Sequence, residues 1–157
     1  MATQPIPEGY NTLTLHLAVD NASEAIEYYE RAFGAKERMR MEGPDGKIGH
    51  AEIEIGDSRL MLADPFPQGS AKSPKELGGT TATVFMYVED VDAVVKQAVD
   101  AGATVTMEIE DMFWGDRFGS VTDPFGHVWS IATHVEDLTP EEMEERSKAA
   151  MAAMSSQ

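Results

Sequence analysis

Two stretches hold most of the side chains able to do acid–base or binding chemistry. In the first, His50, Glu52 and Glu54 alternate with Ala51, Ile53 and Ile55, so an extended strand puts the three polar groups on one face. His16 has a matching position in the alternating run from Asn11 to Asp20. An imidazole beside Glu52 or Glu54 makes an acid–base pair or part of a cation site, whereas a water-facing strand carries the same alternation for no catalytic reason. In the second, Phe113-Trp114-Gly115-Asp116-Arg117 joins flat aromatic surface to a flexible backbone and a guanidinium. Trp114 can stack on a flat molecule and Arg117 can pair with its carboxylate or phosphoryl group. Met61, Phe85 and Tyr87 extend that surface, although methionine and aromatics suit core packing equally well. His16, Met61, Phe85, Tyr87, Trp114 and Arg117 form the candidate ligand-binding set. His16, Glu52 and Glu54 are the catalytic candidates.

These residues need a sheet to position them. Asp123-Pro124-Phe125-Gly126-His127 reads as a turn, with Pro124 presetting φ and Gly126 free to take a left-handed conformation. It predicts a hairpin of Phe118 to Thr122 with His127 to Thr133. Upstream, Leu13, Leu15, Leu17 and Val19 alternate as a strand, Asn21 with Glu24 has capping-box spacing, and apolar residues recur at helical spacing over 22–33 until Gly34. Strands at 35–41, 48–55 and 58–63 follow. Residues 65–79, rich in proline and glycine and without a sustained period, read as a linker. The order then repeats: a strand at 81–88, a helix at 91–101 stopped by Gly102, a strand at 104–110 and the hairpin. An internal duplication accounts for this, with modules at about 10–64 and 80–134 in one domain spanning 1–157. Thr139 with Glu142, and Pro140, predict a C-terminal helix over about 139–154.

Composition narrows the function. A chain of 157 residues supports one cored domain, and a formal net charge of −16 argues against nucleic-acid and anionic-membrane partners. There is no cysteine, hence no disulfide, thiolate nucleophile or zinc–thiolate site. The start lacks the basic and apolar regions of a signal peptide, no apolar run approaches the roughly 18 residues of a membrane span, and a cytoplasmic protein is expected. Nucleophile elbow, phosphate-cradling loop and HExxH motifs are all missing.

The repeated unit, with Ala25-Ile26-Glu27-Tyr28-Tyr29 and Phe33-Gly34-Ala35 in one half, Val88-Glu89-Asp90-Val91-Asp92 in the other and Asp123-Pro124-Phe125-Gly126-His127 near the end, resembles the vicinal oxygen chelate superfamily. Phe113 to Arg117 followed by that turn, Trp129 and Ala132-Thr133-His134 is similar to its glyoxalase/bleomycin-resistance-like, PhnB-like branch. The resemblance implies an α+β fold: two βαβββ modules forming an open, incompletely closed β-barrel, here with a C-terminal helix, and a ligand cleft commonly completed by a second subunit. A homodimer that binds a small organic molecule follows from it. Metal-dependent relatives carry histidine or glutamate at four cleft positions, which fall here on Thr14, Met61, Thr83 and Ser130. No cofactor is therefore expected at that site, though a shift of two residues in the first strand brings His16 into register as a single metal candidate. The alternative is a lactoylglutathione-lyase-like lyase or isomerase, metal-dependent or acid–base, using His16 and Glu52 or Glu54.

Overall fold

The computed structural model describes residues 2–157 as two four-stranded mixed sheets joined through a pair of helices. In chain order the elements are β1 (Leu15–Ala18), α1 (Ala22–Phe33), β2 (Lys36–Glu42), β3 (Ile48–Ile55), β4 (Ser58–Ala63), α2 (Pro74–Leu77), β5 (Thr83–Tyr87), α3 (Val91–Ala101), β6 (Thr104–Asp111), β7 (Asp116–Thr122), β8 (Val128–His134) and α4 (Pro140–Ser155). The sheet orders are β1-β4-β3-β2 and β5-β8-β7-β6, with β1 parallel to β4 and β5 parallel to β8. Among the described residues no ladder links one sheet to the other, so the barrel is open.

The start of each module's helix is fixed by a side chain from the end of that module's last strand. Asp64, just past β4, accepts from the Asn21 and Ala22 amides with Oδ1 and from the Ile48 amide with Oδ2. In the second module Thr133 Oγ1 accepts from the Val91 amide at 2.9 Å. Both contacts satisfy amides that a helix start leaves unpaired. Gly34, with φ 66°, ends α1 where a side chain would be strained.

One buried core spans both modules. Leu17, Leu60, Leu62, Ala51 and Ile53 from the first sheet meet Trp129, Ile131 and Val121 from the second around α1 and α3. The hairpin after β7 lies on α1: Phe125 sits 6.0 Å from the Tyr28 ring, and Trp129 sits 4.4 Å from Phe33. Asp123 ties this together, accepting from the Phe125 and His127 amides with Oδ1 and from the Tyr29 hydroxyl and Trp129 indole with Oδ2. His127 donates to the Ala18 carbonyl at 2.9 Å, which fixes it structurally at the seam.

Three expectations need correction. The first strand is only Leu15–Ala18, because its partner β4 begins at Ser58 and leaves 11–14 little ladder to pair with. The linker is not all irregular. Ser73 caps the single-turn α2 with a complete capping box and bonds Asp20, and Pro74 packs so closely on Gly126 that a Cβ there would approach to 2.7 Å. The hairpin strands start and end further out than predicted, so Asp116 and Arg117 belong to β7 rather than to a loop.

Asp123→Ala leaves four buried donors without an acceptor and is expected to cost about 3–5 kcal/mol of stability, read as a lower urea midpoint. Asp123→Asn, which keeps one carbonyl oxygen, should cost less. A midpoint unchanged in the alanine variant would show that the modules do not depend on this carboxylate.

Candidate functional site

Each sheet has one face on the helices and one face turned away. On the away face of the first sheet, ladder register puts His16, Met61 and Glu52 on one cross-strand rung, with His50 next to it. The His16 and His50 rings stack with centroids 6.1 Å apart, and His50 Nε2 lies 3.2 Å from Glu52 Oε1. Burial against the sheet, then the neighbouring His50, holds the His16 imidazole below its ordinary pKa, which favours the neutral, proton-accepting form. Tyr10 from the leader folds over this face with its ring under the Arg59 guanidinium, 4.9 Å from Cζ, and its buried hydroxyl makes no hydrogen bond of good geometry within the chain. That hydroxyl lies beside Glu52 and, with His50 and Arg59, keeps the carboxyl below its usual pKa against partial burial. Glu54 is committed elsewhere, in a two-point contact with Arg38 at 2.6 and 3.2 Å and 3.8 Å from Arg59.

The away face of the second sheet is aromatic. Phe85 packs on Tyr87 at 5.1 Å and on Phe118 at 5.8 Å, Trp114 meets Phe118 edge-on at 5.9 Å, and Phe113 meets Trp114. Beneath them lie the buried Ser120 and Ser130 hydroxyls, 3.0 Å apart. Asp116, only 2% exposed, anchors the rim: its carboxylate accepts from Tyr87 Oη at 2.9 Å, Trp114 Nε1 at 3.0 Å and His134 Nδ1 at 2.8 Å. His134 Nε2 reaches Asp137 at 2.9 Å. Gly115 allows the Trp114 loop to lie against the following segment, since a Cβ there would fall 2.3 Å from the Glu136 carbonyl oxygen. Arg146 of α4 holds the same corner through Glu136 and the Phe113 carbonyl.

The structure thus brings His16, Glu52 and Met61 together on one face and Phe85, Tyr87 and Trp114 together on another. Arg117 joins neither set. It pairs with Thr133 on the helix side of β7, where Asp92 binds it at two points, 2.7 and 2.9 Å, and Asp111 at 3.1 Å. Ser130 and Ala132 share the aromatic face but are covered by it. Tyr10, Arg59, Asp116 and His134 are the functional candidates that sequence reasoning passed over or set aside, while His50 lies on the polar face where its alternation with Ala51 put it. Asp116 was the most accessible, since Asp116, Phe118, Ser120 and Thr122 alternate once the strand is started at its true end.

The four positions at which the resemblance implies metal ligands carry other side chains. Thr14, Met61, Thr83 and Ser130 offer hydroxyls and a thioether in place of imidazole and carboxylate. Among the described residues no group of three or more histidine, aspartate and glutamate side chains converges to hold an ion. No helix among them is long and apolar enough to cross a membrane.

Comparison with known proteins agrees with this architecture. Residues 11–131 match the profile of the Glyoxalase/Bleomycin resistance protein/Dioxygenase superfamily, and the chain belongs to that family. An uncharacterised protein of Mycobacterium bovis is 46% identical over 148 residues, which cover 92% of this chain and 93% of the relative. The solved structure of an Arabidopsis thaliana gene product is similar with a TM-score of 0.65 at 28% identity, over 78% of this chain and 98% of that one. A PhnB protein from Bacillus cereus shares the fold with a TM-score of 0.62 at 16% identity, over 78% of this chain and 99% of its own.

His134 predicts a pH effect. Both ring nitrogens face carboxylates, so only the imidazolium donates to both, and Asp116 followed by Asp137 raises its pKa above the ordinary value. A raised pKa in the folded state stabilises the fold fully below the unfolded value of about 6.5, and the contribution fades as pH climbs through the folded value. Thermal midpoints of the wild type should therefore fall across that interval relative to those of His134→Gln. Parallel curves for the two proteins would remove His134 from the stability balance.

Proposed function

We infer that the chain binds a small, flat organic molecule on the aromatic face of its second module, as a cytoplasmic homodimer and without a four-ligand metal site. One observation carries this reading. Phe85 and Tyr87 remain 48% and 64% exposed although they pack on Phe118 and Trp114, over a buried hydroxyl floor. A preformed apolar wall with a few fixed polar groups is the usual make-up of a small-molecule site. Two sheet faces left open in one chain, one polar and one aromatic, support the homodimer, since a second copy can cover an apolar face that a monomer exposes.

A thermal-shift screen of small aromatic compounds finds ligands, because binding to the native state raises the melting temperature. Phe85→Ala and Trp114→Ala are each expected to weaken such a ligand by ~2 kcal/mol, while Arg117→Ala, altered on the helix side, leaves affinity unchanged. Equal affinity in all three variants would place the ligand elsewhere. Light scattering should give twice the 17.1 kDa chain mass, and a monomer at micromolar concentration would overturn the dimer.

The polar face supports a second reading, a lyase or isomerase working by acid–base catalysis. Its motive is the neutral-favouring His16 beside His50 and Glu52, with the Tyr10 hydroxyl directed at the same carboxylate. Turnover of a screened ligand that is lost in both His16→Gln and Glu52→Gln would favour the enzyme. Stoichiometric metal in protein purified without chelator, lost on replacing His16, would favour its metal-dependent form.

A further inference from the structure

The two modules are built alike but are not filled alike. With the N-caps Asn21 and Asp90 superposed, Ala25 corresponds to Val94, Tyr28 to Gln97 and Tyr29 to Ala98. The last hairpin of the second module has five residues between the paired Thr122 and Val128, whereas that of the first has only Gly56 and Asp57 between Ile55 and Ser58. In the second module the longer turn lies down on α1. Pro124 closes on Gly102, where a Cβ would lie 3.2 Å from Pro124 Cγ, and Phe125 packs on Tyr28. At the equivalent place in the first module the turn is too short and the tyrosine is a glutamine. Nothing lies within 4 Å of where a Gly34 Cβ would point.

What remains is a cavity of about 750 Å³ between the β3–β4 turn, the end of α1, α3 and the free edge of β5. Leu15, Phe33, Leu60, Val84, Met86 and Trp129 supply apolar walls, and its mouth runs along β5 toward Phe85 and Tyr87. The size falls within the range of about 300–1,000 Å³ found for small-molecule sites. Gln97 also lines it, and the side chain is oriented: Nε2 donates to the Arg31 carbonyl at 2.8 Å, which leaves Oε1 to accept from a guest. Asp57, Ser58 and Arg59 of the β3–β4 turn add polar groups at the opposite rim, so the space suits an aromatic molecule whose hydroxyl lies at Gln97.

We propose that this gap in the repeat is a second ligand site, on the helix side of the sheets, for an aromatic molecule whose phenolic hydroxyl donates to Gln97. The site meets the aromatic face at Phe85 and Tyr87 but rests on Gln97 and Trp129, which that face does not include. It can be read separately, because the chain has two tryptophans and Trp129 lines the cavity. In a Trp114→Phe background, 4-iodophenol should quench Trp129 fluorescence saturably through its heavy atom. Gln97→Leu keeps the space but removes the acceptor, so 4-iodophenol should weaken about tenfold while iodobenzene keeps its affinity. Gln97→Tyr, which restores the residue of the other module and puts its ring where the probe's ring would lie, should weaken saturable quenching by both probes. Val94→Phe, which adds a ring to the wall beside Gln97, serves as a second narrowing variant should the tyrosine disturb folding. Quenching that is linear in probe, or that persists unchanged in the narrowed variants, overturns the proposal.

Discussion

A single buried carboxylate joins the halves of this chain. Asp123 belongs to the second module's hairpin, yet one of its oxygens accepts from Tyr29 on the first module's helix. Burial, reinforced by the neighbouring carboxylate, pushes the Tyr29 phenol well above its ordinary pKa, so it remains a donor. Turning a charge away from water is costly unless every lone pair finds a donor, and here four donors converge on two oxygens. The same bonds orient Trp129, seat Phe125 on Tyr28 and set the hairpin from which β8 departs. The position of the aromatic face is thus inherited from a contact on the opposite side of the sheet.

The two modules present faces with equivalent geometry and different chemistry. Register makes His16 the counterpart of Phe85, Glu52 that of Ser120 and Met61 that of Ser130. One face is ionisable and the other aromatic, while the helix-facing residues share an apolar character because both sheets bury them in one core.

The fold was legible because the signals that specify it are local. Helical spacing ended by Gly34 and Gly102 yielded α1 and α3 at their observed limits, alternation yielded β3, and the Gly56-Asp57 turn marked the start of β4. The site was harder to read because faces are decided by register. Arg117 and Asp116 are adjacent in sequence, so one must point to the helices when the other points away, and no composition argument says which. The ion pair from Arg117 to Asp92 spans 25 positions, and the leader's Tyr10 reaches Glu52 only because the chain doubles back over the sheet. Contacts of that kind depend on tertiary placement, as does the α2 turn, whose anchoring partners Asp20 and Gly126 lie in different modules.

The connection between the modules bears on how separable they are. Residues 66–72 are exposed throughout, while cohesion between the halves runs through α1, α3 and the Asp123 hairpin. Peptide continuity and structural cohesion therefore follow different routes through the molecule. A protease nick at the exposed run would sever the polypeptide without opening the core, leaving two complementary fragments clasped by Tyr29, Phe125 and Trp129. The connecting segment acts as a tether that raises the local concentration of one half for the other, and its sequence can drift as long as Ser73 and Pro74 still reach their seats.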